Sequence, residues 1–484
     1  MLAGRHRPVD RVPAVADPPQ SRVRLDPEEF RALGHRVVDA LADRYARLRD
    51  EPVAAPATRA EMERILREPA PEHGADPRAV LDLALDHVLA RGLKVDHPRF
   101  FAYVPLPGNP LAPLADALAS GHDVFAGTWQ AAPGAAMVEL VTLDWLRDAL
   151  GLPETTAGIF VSGGSMANLS GLAVALHAAG AADRSRHVLY TSAEAHSSID
   201  RAARLLGVPV RRVATAAELR LDVAALDAAV AEDRAAGATP WCVAASAGTT
   251  GTGSVDPLPE LRRRCDAEGL WLHVDGAYGA PAALCPAGAA ALAGLETADS
   301  LILDPHKWLF QTPELGCLLV RDGHRLTDAF TASAAYLRDA AAGTDEVNFS
   351  DRGIQLTRQF GALKLWLSIK VYGLAAFRAA IAHGIALAEH AERVIAADPR
   401  WEVVTRAQLG IVTFRLAGDP AVADERSRAL VPALMADGFA FITSTEVHGR
   451  VALRLCTDNP STTTADVDAT LARLAELAER GWPS

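Results

Sequence analysis

DSLILDPHKWLF, residues 299–310, runs an apolar strand straight into a lysine. Residues 301–303 have the unbroken hydrophobicity of a strand covered on both faces. Pro305 ends it, because proline has no N–H to give a sheet ladder. The chain therefore leaves a sheet with Asp304, His306 and Lys307 at its end. Lysine is scarce here: of the 48 basic side chains only Lys94, Lys307, Lys364 and Lys370 are lysine. Ordinary positive charge is supplied as arginine, which stays protonated. An amine desolvated among other groups can lose its proton and act as a nucleophile. Lys307 is the candidate reactive amine.

Around this strand the same pattern repeats. Apolar runs at 158–161, 187–190, 241–245, 270–274, 300–303 and 317–320 alternate with helical periodicity. This is the signature of a mostly parallel sheet covered by helices, a fold that collects ligands at its strand C-termini. Before it, residues 25–48 and 77–93 repeat apolar positions at three- and four-residue steps, and Asp26-Pro27 followed by two glutamates is a helix start. These helices are too few and too amphipathic to bury their apolar faces alone. After about residue 375, alanine-rich helices carry two further strand patterns at 410–418 and 449–456. The expected division is a disordered lead-in over 1–20 and a helical dimerisation segment over 21–95. A large domain over 96–375 and a small α/β domain over 376–484 follow.

Composition excludes several classes. Of the 484 residues half are hydrophobic, which argues against general disorder. A net charge of −12 without a basic tract gives no footprint for nucleic acid or anionic membrane. The first twenty residues lack the apolar segment of a secretory signal, and no uncharged apolar run reaches transmembrane length, so a cytoplasmic protein is expected. The five cysteines form no CxxC pair and no cysteine–histidine ligand cluster, so reduced buried thiols are expected and neither a disulfide framework nor a metal site.

Polar groups follow several of the strands. After 158–161 comes Ser162-Gly163-Gly164-Ser165-Met166 and a helix, whose free N–H groups and positive dipole end suit a phosphate. Taken alone, a Gly-Gly turn is common. His196 opens another helix after 187–190, and Thr250 sits in a glycine- and hydroxyl-rich loop after 241–245. Asp275 ends the strand at 270–274, and a carboxylate delivered there must be paired, because an isolated buried charge is very costly. One ligand accounts for the set. Pyridoxal 5'-phosphate needs a lysine for its Schiff base, a carboxylate at its pyridine nitrogen, an anion site for its phosphate and a flat group on its ring.

At this point the sequence resembles the group II pyridoxal-phosphate decarboxylases, the family of aromatic-L-amino-acid and glutamate decarboxylases. The resemblance spans residues 25–454. It is carried by HPRFFAYVP (97–105), TWQAAPGAAMVE (128–139), EAHSSIDRA (194–202), HVDGAYGA (273–280) and DPHKW (304–308). It implies pyridoxal-phosphate fold type I, like aspartate aminotransferase, and a homodimer whose N-terminal helices wrap the partner at a shared active site. By position it implies that Lys307 binds the cofactor covalently and Asp275 meets the pyridine nitrogen. His196 would stack on the ring and touch substrate, with Ala277 on the opposite face and Thr250 beside the 3-oxygen. Ser165 and Met166 would hold the phosphate, with Asp304 and His306 near it. Tyr103, Val104 and Leu106 would line the substrate side-chain pocket.

The expected reaction is decarboxylation of an L-amino acid, aromatic or apolar, to its amine. The alternative is an aldehyde synthase. The family's aromatic decarboxylases carry a proton-donating loop tyrosine, and the position aligned with it here is Phe349, or Ser350 if the gap moves. No tyrosine lies between Tyr336 and Arg358. Aminotransferase or sulfur-elimination chemistry on the same fold fits DPHKW and HVDGAYGA less well. A catalytically inert relative should have lost Lys307 or Asp275.

Overall fold

The computed structural model describes residues 23–180, 183–331, 343 and 345–480. The lead-in expected over 1–20 lies outside them. The chain forms two compact units, Met1–Glu51 with Ala57–Arg91, and Pro52–Pro56 with Gly92–Ser484.

In the first unit, α1 (Pro27–Arg47) begins where expected. The Asp26 carboxylate accepts the Glu28 N–H at 2.8 Å, and proline occupies the first turn, where a missing N–H costs nothing. Thr58 and Glu61 form a capping box on α2 (Arg59–Leu66). The helix expected over 77–93 is shorter: α3 (Pro77–Leu83) passes into a π-helical stretch to Leu89, and Gly92 turns out at φ 112°. No residue of α1, α2 or α3 is buried.

The second unit is built on a seven-stranded sheet. Its strands are β1 (Ala157–Val161), β2 (His187–Ser192), β3 (Val210–Val213), β4 (Thr239–Ser246), β5 (Trp271–Asp275), β6 (Ser300–Leu303) and β7 (Gly316–Val320). They lie in the order β1-β7-β6-β5-β4-β2-β3, and only β7 runs against its neighbours. The six expected runs all fall on these strands. The unexpected one is β3, an edge strand of sequence VRRV whose arginines hide the apolar signal. Val274 pairs with Leu301 and Asp275 with Ile302, so the register that buries the apolar residues also fixes where Asp275 emerges. Fully burying each such side chain contributes about 1.5–3 kcal/mol, so a register slip is expensive.

A smaller antiparallel sheet follows, ordered β8 (Trp401–Gln408), β9 (Ile411–Leu416), β11 (Arg450–Cys456), β10 (Thr443–Val447). Its core includes Phe101, Phe414, Leu453 and Leu471. The helix Ala362–Ala397 is long and apolar enough to cross a membrane, yet it places Leu365, Ile369 and Ile381 in the core of the large sheet and Leu387 and Ile395 in that of the small one. It breaks at Gly373 (φ 74°, ψ 151°), near the domain boundary expected at 375. Pairing of Ala54–Ala55 with Gly92–Leu93 completes the unit.

Candidate active site

Parallel strands deliver their C-terminal residues to one edge of the sheet, and a cavity of about 350 Å³ opens there. Among the residues that the sequence singles out, Ser165, Met166, His196, Thr250, Asp275, Ala277, Asp304, His306 and Lys307 all line it. Tyr103, Val104, Leu106 and Phe349 do not.

Lys307 Nζ lies 2.9 Å from Asp304 Oδ2, with His306 Nε2 at 3.7 Å from the same oxygen. Asp304 is buried, and its other oxygen has no hydrogen-bond partner. Burial holds His306 below the usual imidazole range despite the neighbouring Asp304, and its Nδ1 approaches the Leu315 carbonyl at 2.7 Å. The amine is thus held beside one carboxylate and a neutral imidazole. Across the cavity, Asp275 takes the Asn168 amide on Oδ2 at 2.9 Å and its Oδ1 takes the Ala277 N–H at 3.1 Å.

The helix Gly164–Ala178 starts at the cavity wall with no side chain capping it. Its first N–H groups and dipole are available to an anion. Gly164 is required by space: a Cβ there would stand 2.8 Å from Asp304 Oδ2 and 3.2 Å from the Ala277 methyl. The uncapped helix start, the amine beside Asp304 and the supported Asp275 carboxylate together fit pyridoxal phosphate.

Four residues to which the sequence assigns no role join the site. Asn168 and Ser198 line the cavity, and Tyr278 lies on its floor, its ring stacked on Trp308 at 5.0 Å between centroids. Arg454 is buried and donates from Nε to the Thr250 carbonyl at 2.8 Å and from Nη1 to the Tyr103 carbonyl. Its Nη2 is buried without a partner. Through this guanidinium the Tyr103 segment is tied to the cavity loop. Tyr103 itself is exposed and packs at 6.5 and 6.2 Å from the rings of Phe100 and Phe441. Tyr278 lies within HVDGAYGA and Arg454 within a strand, but neither carries a sequence signal for these contacts, which arise only from the fold.

Phe349 lies elsewhere. It is 1% exposed, within the core of the large sheet, with the guanidinium carbons of Arg352 and Arg358 at 5.3 and 5.1 Å from its ring centroid. Ser350, the alternative position, donates its N–H to the Gly127 carbonyl at 2.9 Å.

Residues 60–417 match the pyridoxal-dependent decarboxylase conserved domain. An aromatic-L-amino-acid decarboxylase of Bacillus atrophaeus is 44% identical over 94% of this chain and 97% of its own length. A phenylacetaldehyde synthase of Petunia hybrida is 31% identical over 92% and 93%. Among solved structures, Oryza sativa TDC with PLP and tryptamine superposes with a TM-score of 0.89 at 29% identity, covering 94% of this chain and 98% of that one.

Proposed function

The chain belongs to the pyridoxal-dependent decarboxylase family and is a pyridoxal-phosphate-dependent carbon–carbon lyase acting on an L-amino acid; we propose that this amino acid is aromatic and leaves as its amine. The observation that carries the reading is the convergence of Lys307, Asp275 and the uncapped helix start at Gly164 on one cavity. When bound, pyridoxal phosphate supplies an electron sink for the pair released as carbon dioxide departs. Lys307 is the residue that would hold it covalently, and the turn from Gly163 to Met166 would hold its phosphate. Asp275 would keep positive charge on the ring nitrogen. His196 and Ala277 would enclose the ring, and Thr250 would sit beside its hydroxyl edge.

For the substrate, Arg454 Nη2 offers a buried, unspent donor to a carboxylate. Tyr103 does not line the cavity, but Arg454 ties its segment to the Thr250 loop, and from there it would offer an aromatic surface to the side chain. The 44% identical relative from Bacillus atrophaeus supports an aromatic substrate. The working unit is a homodimer with a shared active site. What supports this is the N-terminal unit, whose helices bury nothing and expose Phe30, Val38, Ile65, Val80 and Leu83. Five free, buried cysteines accord with a reducing, cytoplasmic setting.

The test is direct. Full-length protein loaded with pyridoxal phosphate is reduced with borohydride and its peptides mapped. It is then offered a panel of aromatic, aliphatic and acidic L-amino acids while carbon dioxide, amine, aldehyde and peroxide are measured. The adduct is expected on Lys307, with carbon dioxide and amine from an aromatic substrate. An adduct elsewhere overturns the site, and turnover confined to acidic or aliphatic substrates overturns the specificity.

A further inference from the structure

Behind the cavity wall, hydrogen bonds run in one direction from Trp271 to His196. The Trp271 indole can only donate, and Nε1 gives its proton to Ser300 Oγ at 2.8 Å. Ser300 then has its own proton to give to His273 Nδ1, also 2.8 Å away. His273 is fully buried, and burial outweighs nearby Asp275 in bringing it down to about 4, so it carries one ring proton. With Nδ1 accepting, that proton is on Nε2 and goes to Asn168 Oδ1 at 2.9 Å.

This orients the amide. Asn168 Nδ2 donates to Asp275 Oδ2 at 2.9 Å and to Ser198 Oγ at 2.8 Å. A flipped amide would set its oxygen against a carboxylate oxygen, acceptor facing acceptor. Ser198, having accepted from Asn168, donates its hydroxyl to His196 Nδ1 at 2.8 Å, and the Ser198 N–H reaches the same nitrogen at 3.2 Å. With Nδ1 turned to the wall and accepting twice, neutral His196 keeps its proton on Nε2.

We infer that Asn168 is a positioning residue: its amide fixes His196 as the Nε2–H tautomer and orients the Asp275 carboxyl group, while His273, Ser300 and Trp271 set the amide's orientation. This role rests on the cofactor reading above, since both groups gain their importance from facing the pyridine ring. One buried side chain thereby couples two jobs: an oriented carboxyl group for the ring nitrogen, and an N–H rather than a bare nitrogen on the ring face. Fixing a histidine tautomer through its other nitrogen is an effective lever on catalysis, because the wrong tautomer presents an acceptor where a donor is needed.

The test uses the full chain loaded with pyridoxal phosphate and labelled with nitrogen-15 histidine, so that two-bond proton–nitrogen correlations read the tautomer at neutral pH. His196→Gln identifies the signal. The wild type is expected to show His196 as Nε2–H. Ser198→Ala and Asn168→Leu are expected to show population of the Nδ1–H form, and Ser198→Thr, which keeps the hydroxyl, to restore the wild-type pattern. In the first two variants kcat falls roughly 10- to 100-fold with KM little changed, the loss expected from removing an outer hydrogen-bond partner. A wild-type His196 protonated on Nδ1 or doubly protonated overturns the inference. So does an unchanged tautomer and kcat in Ser198→Ala, which decides the matter if Asn168→Leu does not fold. If the wild type takes up no pyridoxal phosphate on Lys307, the cofactor reading fails, while the tautomer still tests the hydrogen-bond chain.

Discussion

Lys307 Nζ stands 2.9 Å from Asp304 Oδ2, and Asp304's second oxygen is buried with no partner. A cation opposite Asp304 therefore matters to the fold as well as to the chemistry. Lys307→Arg keeps that charge but cannot bond covalently to an aldehyde at neutral pH. The melting temperature should stay within a few degrees of wild type, while the visible absorbance fixed by borohydride disappears and turnover with it. Lys364 cannot substitute, because its ammonium is buried and spent on Asp116, Thr312 and the Pro313 carbonyl. An adduct on Lys364, Lys370 or Lys94 in the wild type would contradict the assignment.

Asp275→Asn separates chemistry from docking. The amide keeps the shape but sets its NH2 against one of the two N–H donors, Asn168 Nδ2 or Ala277 N. The helix start at Gly164 and Lys307 are untouched, so pyridoxal phosphate affinity by fluorescence titration should fall only modestly. Turnover should fall by roughly 10²–10³-fold, the loss typical of removing a preorganised charge from a closed site. Near-native kcat in this variant would mean that another group protonates the ring nitrogen.

Asp458 gives a pH-dependent prediction. It is fully buried, and burial pushes it up to about 8 against the pull of Arg454 and Lys307. In the unfolded chain the same group ionises near 4. Between about 4 and about 8 the folded chain therefore holds a proton that the unfolded chain has released, and stability falls as pH rises through that window. Asp458→Asn removes the slope. Thermal denaturation across pH should show the variant gaining on wild type steadily toward pH 8; parallel curves would show that the carboxyl is ionised in the folded state.

The N-terminal unit predicts a quaternary effect. Removing residues 1–47 deletes the residues of α1, none of which is buried within the chain, and leaves the Ala54–Ala55 strand of the second unit in place. If α1 packs on a second copy, the truncated protein should run as a monomer or aggregate in light scattering and lose activity. A soluble, fully active truncated monomer would refute the shared-site dimer.

The sequence made the strands and the strand-end chemistry legible, for a common physical reason. Strands buried on both faces are continuous apolar runs, and a parallel sheet sends their polar successors to one edge. So Asp275, Asp304 and Lys307 could be grouped without coordinates. The strands β3, β8 and β10 were not legible, because VRRV, WEVVTRAQ and TSTEV mix charge or hydroxyls into half-exposed edges. Nor was Asn168, whose partners His273 and Asp275 lie 105 and 107 residues away and meet it only through the sheet order. The depth of Phe349 is likewise a property of packing that no periodicity in a short loop encodes.

Phe349 leads to the last prediction. Its ring is enclosed beside Arg358, whose guanidinium is already engaged by both Glu139 oxygens and by the carbonyls of Ala126 and Phe160. Those acceptors already take arginine N–H groups, so a tyrosine hydroxyl added at 349 would enter a closed site flanked by two guanidiniums, with donors at hand but no free acceptor for its own proton. An unsatisfied buried hydroxyl costs about 1–3 kcal/mol. Phe349→Tyr should therefore lower stability by about that amount and leave the ratio of amine to aldehyde unchanged, with or without oxygen, because the ring does not line its own chain's cavity. Denaturant titration and product analysis under air and under nitrogen measure both quantities. A shift of products toward amine at undiminished stability would show instead that this ring reaches a catalytic cavity during turnover and that residue 349 decides the fate of the carbanion.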